Sequence, residues 1–173
     1  MENSFHLENV VHFSSSSSMK DIAMVAGAGY SSLFKQYTIY QFEEQLFRLS
    51  QVESYIENSL NNMGFQALEE ICSLMIKHRN REKGFSDSVD GDSCDVIGNQ
   101  EILCHIHLCG VQILRNPYNT HDPLFGAVFY FRPGWQPNCM TELLVLGDEV
   151  LGYQDYSDMA ANIIWHARRS MLC

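Results

Sequence analysis

Donor groups suited to a metal recur in Cys104-His105-Ile106-His107-Leu108-Cys109. Alternate residues of an extended strand share a face, so His105, His107 and Cys109 would project together. Imidazole nitrogen and thiolate sulfur are donors that zinc favours, so zinc is the cofactor such a face would hold. A closed zinc site needs a fourth ligand, which would come from His121, Cys139, His166 or the acidic stretch before the strand. No Cys-x-x-Cys pair occurs, so a two-knuckle zinc framework is absent. The competing reading is a strand whose histidines face water and which holds no cofactor.

A second arrangement is Cys139 after Asn138, with His105, His107, His121 and His166 elsewhere in the chain. A thiol hydrolase or acyltransferase needs such a cysteine beside a base, and a third group that orients the base. A buried thiol would instead pack as a small hydrophobe.

A third is Asp90, Asp92 and Glu101, which fall at the first, third and last positions of a calcium loop. Cys94 takes a ligand position there, and Asp95 takes the place of the turn glycine, so the segment reads as a solvated acidic loop.

A fourth is the aromatic run Phe125, Phe129, Tyr130, Phe131 and Trp135. One face of that strand suits a core; the other suits either a second core or a binding surface. Phosphate loops, dinucleotide glycine motifs, nucleophile elbows and the HExxH zinc motif are all missing, so the usual signals of nucleotide enzymes and serine hydrolases are too.

The elements that would position these residues follow from hydrophobic spacing. Residues 1–29, with serines from Ser14 to Ser18, read as a flexible tail. From Ser32 to Arg81 the apolar residues recur at three- and four-residue intervals, which predicts three helices. Ser50 with Glu53 fits a capping box for the second, Gln51 to Met63, and Gly64 fits its C-cap. Lys77-His78-Arg79-Asn80-Arg81 then reads as cations at the third helix's end. Residues 82–100 read as an acidic loop.

After that loop the pattern becomes extended. Strands are expected over Ile102–Leu114 and Ala127–Phe131, followed by a hairpin about Gly147-Asp148. A last helix starts near Ser157 and runs through Ala160, Ile163, Ile164 and Ala167. The fold class expected is therefore α+β, with N-terminal helices packed on a small, mainly antiparallel sheet and a C-terminal helix. Residues 30–173 would be one domain.

The chain has 173 residues, with 11 Lys plus Arg against 21 Asp plus Glu, a formal net charge of -10. That balance argues against a nucleic-acid partner, because phosphate binding needs a clustered basic face. No apolar run suits a membrane span, and nothing at Met1–Met19 resembles an export signal. The expected setting is the cytoplasm, and the nucleus as a second compartment, with reduced cysteines.

The function expected is a non-enzymatic protein-interaction or regulatory protein with a protein partner. By base rate, small proteins of this sort include virus accessory factors that bind host proteins. A homodimer through the first helices is a further expectation. The alternative is a Cys/His-dependent zinc protein or thiol hydrolase.

Overall fold

Period-two alternation, not helical spacing, governs the first third of the chain. Thr38, Tyr40 and Phe42 are buried while the alternating Tyr37 and Ile39 are exposed. This is the signature of a strand with one face on a core. The computed structural model describes residues 4–17, 20–84 and 99–171. Three strands come first: β1 (Glu8–Ser17), β2 (Lys20–Ser31) and β3 (Gln36–Glu43). Then follow the helices α1 (Leu49–Tyr55), continued by a π-helical turn (Ile56–Leu60), and α2 (Phe65–Glu82).

A 3-10 turn (Asn99–His105) leads into β4 (Ile106–Arg115), β5 (Phe125–Pro133), β6 (Thr141–Leu146) and β7 (Glu149–Asp155). Helix α3 (Ala160–Met171) follows. The strands form one seven-stranded sheet in chain order. Every neighbouring pair is antiparallel except β3 and β4, which are parallel. A parallel pair needs a long crossover, and α1 and α2 lie within it.

The expected architecture is therefore corrected. The helices do not precede a small sheet; strands come first, and a mixed sheet makes up most of the regular structure. Residues read as a flexible tail form the β1–β2 hairpin, where Ser14 to Ser17 pair with Ala23, Ile22, Asp21 and Lys20. Serine neither favours nor forbids a strand, so the flanking Val11, Phe13, Ile22 and Met24 decide it. The helix expected from Ser32 onward is strand β3 over Gln36–Glu43. Capping also differs. Gln51 Oε1, not a Ser50–Glu53 pair, accepts from the Arg48 backbone N–H (3.0 Å), and Gly64 is the N-cap of α2. Of the expected acidic loop, residues 85–98, including Asp90, Asp92 and Cys94, lie outside the described residues.

Both faces of the sheet carry a core. On the inner face α1 and α2 pack over Tyr40, Phe42, Val111, Phe129, Phe131 and Leu143. Phe34 meets Phe129 and Phe131 edge-on at 5.4 and 5.0 Å between ring centroids. The carboxylates of Glu53 and Glu57 on the helical layer accept from the backbone N–H groups of Leu7 (2.9 Å) and Phe5 (3.2 Å), which ties down the chain before β1. On the outer face Ala160, Ile164 and Trp165 of α3 cover Val128, Leu144 and Leu146. The hairpin expected about Gly147-Asp148 joins β6 to β7, with Leu146 opposite Glu149 and Gly147 at φ 63°, a conformation that suits glycine.

Candidate functional site

The Cys104–Cys109 segment is not one uninterrupted strand. His105 closes the 3-10 turn and β4 begins at Ile106. His105 and His107 are exposed, flanking buried Ile106, and Cys109 sits half-buried where the β4–β5 register shifts between Leu108 and Gly110. Cys109 Sγ lies 3.6 Å from the carbonyl oxygen of His107. Among the described residues, no cluster of three His, Cys, Asp or Glu ligand atoms forms around His105, His107 and Cys109. Cys139 is an exposed free thiol in the turn between β5 and β6. Cys72 is buried, and burial pushes its thiol up to about 11, with Glu69 adding to the effect. It is therefore a thiol and not a thiolate at neutral pH.

The described residues do bring one ligand-type cluster together: His78, Glu82 and Asp155, with one donor atom of each within 4.8 Å of the others. Helix α2 supplies His78 and Glu82 one turn apart on one face. The end of β7 supplies Asp155. The His78 side chain is 2% exposed, whereas that of Asp155 is 55% exposed, so the imidazole is held from inside and only its carboxylate neighbour reaches water.

The hydrogen bonds fix the proton on that ring. Trp135 Nε1–H can only donate, and it points at His78 Nδ1 (3.2 Å), which must therefore hold the ring's lone pair. The ring proton then sits on Nε2 and is donated to Asp155 Oδ1 (2.8 Å). The Tyr153 ring packs edge-on against the imidazole at 5.2 Å. An Asp–His pair serves as a general base when the other imidazole nitrogen faces a nucleophile's proton. Here an indole N–H fills that place. The pair therefore clamps α2 to the sheet and has no free nitrogen with which to accept a substrate proton.

An open cleft of about 460 Å³ beside α1 is lined by Ser50, Gln51, Ser54, Asn58 and Leu124, among others. Its one titratable side chain, Tyr55, donates to the Gly147 carbonyl (2.7 Å) and is pushed far up by burial. The cleft offers hydrogen bonds and no acid–base pair. Tyr130, the candidate binding aromatic, faces α3 rather than open solvent. It donates to Gln112 Oε1 (2.9 Å), and burial pushes its hydroxyl up to about 12.

No protein-family model, curated protein or solved structure matches this chain. Any assignment of function therefore rests on its own geometry.

That geometry leaves one broad surface open. The cross-strand pairs Val11–Ala26, Phe13–Met24, Ala28–Ile39 and Tyr30–Tyr37 place all eight side chains on the outer face of β1–β3. It is the face that α3 covers farther along the sheet, because Gln41 pairs with Gln112 and Gln112 with Val128. Val11 is 55% exposed, Phe13 41%, Tyr30 40%, Tyr37 67% and Ile39 47%, so an apolar patch faces water here. The Tyr30 and Tyr37 rings meet edge-on at 5.3 Å. Glu8 and Glu43 pair with Ala28 and Met24 and put carboxylates on the same face.

The patch carries no local signal in the sequence, because residues 1–29 read as a tail and Ser32 onward as a helix. The His78–Glu82 spacing was available as a signal, but the basic run around His78 reads as a solvated helix end. Asp155 joins it only through the fold.

Beneath the start of α3 lies Glu142, fully buried, with Oε1 accepting from Gln154 Nε2 (2.7 Å). Burial raises its carboxyl above the usual range, and hydrogen bonds from Gln154 and from the Ser157 backbone N–H partly offset this. A group whose folded pKa is raised destabilises the fold when ionised, and stability returns as pH falls through the raised value. Glu142→Gln keeps the acceptor for Gln154 and removes the charge. It is expected to raise stability at pH 7, with the gain vanishing below about pH 4. Thermal melts of both proteins at the two pH values measure this. Equal melting at pH 7 would show that the carboxylate carries no such penalty.

Proposed function

We propose that this chain is a non-enzymatic interaction protein that docks a protein partner on the outer face of β1–β3. The observation that supports this is the patch formed by Val11, Phe13, Tyr30, Tyr37 and Ile39, which neither helical layer covers. Contiguous exposed apolar surface rimmed by polar groups commonly marks an interaction site, and tyrosine is over-used at such sites. Glu8 and Glu43 on that face, and a net charge of -10, favour a partner with apolar side chains flanked by lysine or arginine.

The same-class alternative, a dimer through the first helices, has less support, because Val52, Ile56, Ile71 and Met75 are spent on the inner core. The tautomer fixed at His78 is a further reason to prefer binding over general-base chemistry at that position.

The test is affinity capture with the double variant Tyr37→Asp, Ile39→Asp. Phe65→Asp, on an exposed position of α2, is the control. Losing central anchors should weaken a specific partner by about 2 kcal/mol or more, roughly thirtyfold, while the control binds normally and all proteins melt alike. Identical capture by wild type and the patch variant would sink the proposal.

A further inference from the structure

We propose that His78, Glu82 and Asp155 form a binding site for a divalent transition metal of the zinc type, and that metal capture releases Trp135 from His78. The three donor atoms lie within 4.8 Å of one another and come from two elements that the core fixes, α2 and β7. One imidazole with two carboxylates is a borderline donor set. The nitrogen favours zinc-like ions over magnesium or calcium, and three protein ligands leave a position for water.

Two features of the surroundings point the same way. Gln136, whose Nε2 donates to Glu82 Oε2 (3.3 Å), has a buried Oε1 that accepts no hydrogen bond, an orphan acceptor beside the cluster. The two carboxylates also stand close together, with the exposed Arg81 Nε (3.6 Å from Glu82 Oε1) as a nearby cation. A divalent ion would offset the repulsion between the two carboxylates.

The coupling to Trp135 follows from proton placement. With the proton on Nε2, that nitrogen has no lone pair to give a metal. For Nε2 to ligate, the ring must exchange protons with solvent, losing the one on Nε2 and gaining one on Nδ1, and so stay neutral. Two N–H groups would then face each other at Nδ1, and the indole has to turn away. Trp135 sits half-buried in the β5–β6 turn, outside any strand, where such a movement is least hindered. The step gives up the Trp135–His78 bond and the Nε2–H bond to Asp155; ligation of both Nε2 and the Asp155 carboxylate by the ion replaces the second. The ion would thus act as a switch on the turn that holds Trp135 and Cys139.

The experiment titrates the chelator-stripped, full-length protein with Zn2+ by calorimetry, with indole emission followed in parallel. The expected result is one bound ion with a Kd of about 10 µM or tighter. A change in emission with the same midpoint should accompany it. Glu82→Gln and Asp155→Asn change exposed side chains, so the fold is retained; each should weaken binding at least about tenfold. The double variant His105→Ala, His107→Ala should bind as wild type does. Absence of binding, or binding unaffected by Glu82→Gln and Asp155→Asn, would overturn the site. Loss of binding in the His105/His107 variant would instead place the metal where the 3-10 turn meets β4, and overturn the site. Binding with unchanged emission would overturn the release of Trp135.

Discussion

Phe129→Ala is expected to cost about 3–5 kcal/mol, which for a chain of this size lowers Tm by roughly 6–20 °C. Phe129 is 1% exposed on β5, stacks against Phe131 (centroids 6.5 Å, planes 10° apart) and receives the edge of Phe34. Its strand pairs with β4 on one side and β6 on the other. Truncation therefore opens a void where the sheet meets the helical layer, and strands held on both sides have little freedom to close it. The outer face of β1–β3 lies across the sheet from this site. Below the lowered Tm, partner capture should survive Phe129→Ala while it is lost in the Tyr37/Ile39 variant. Chemical unfolding followed by circular dichroism gives the stability. A loss below about 1.5 kcal/mol would mean that the Phe34–Phe129–Phe131 cluster repacks and is not the rigid centre described.

The second large effect belongs to His78. Replacing it by alanine strands the Trp135 N–H, removes the donor to Asp155 and leaves a hole under Tyr153. An unmatched donor costs about 1–3 kcal/mol, and the lost packing adds to it, so a loss of roughly 2–4 kcal/mol is expected. Trp135→Phe removes one hydrogen bond and should cost about 1 kcal/mol in that term, with the His78→Ala, Trp135→Phe pair less than additive because the two side chains share that bond.

Asp155→Asn is the informative contrast. An asparagine oxygen still accepts from Nε2–H, so a neutral ring bonded to Trp135 should tolerate the change with under about 1 kcal/mol lost. A large loss would indicate that Asp155 balances a charged imidazolium, which contradicts the proton placement drawn from Trp135. Denaturant melts of the four proteins distinguish these outcomes.

Much of the second half of the chain could be read locally. The strands around Val111 and Phe129, the turn at Gly147-Asp148 and the helix after Ser157 carry their signals within a few residues: β-branched and aromatic runs, a turn glycine, a capping hydroxyl. Ser157 Oγ does accept from the Met159 backbone N–H (3.1 Å). Helix α2 was legible too, since Ile71, Cys72 and Met75 recur at helical spacing and are all buried.

The first third was not legible, for two physical reasons. The apolar spacing of Leu33, Phe34, Tyr37 and Tyr40 fits a helical period, whereas the buried set Thr38, Tyr40 and Phe42 has a two-residue period, and only the partners β2 and β4 select the second. Serines 14–17 have no strong preference of their own and follow the strand they pair with. The candidate site shows the same division. His78 and Glu82 are one helical turn apart in the sequence, but Asp155 and Trp135 reach them from 77 and 57 residues away. The sequence by itself determined the charge, the local helices and the C-terminal strands. The tertiary structure decided which side chains meet at His78 and which apolar face stays open, because both depend on pairings between segments that carry no local record of one another.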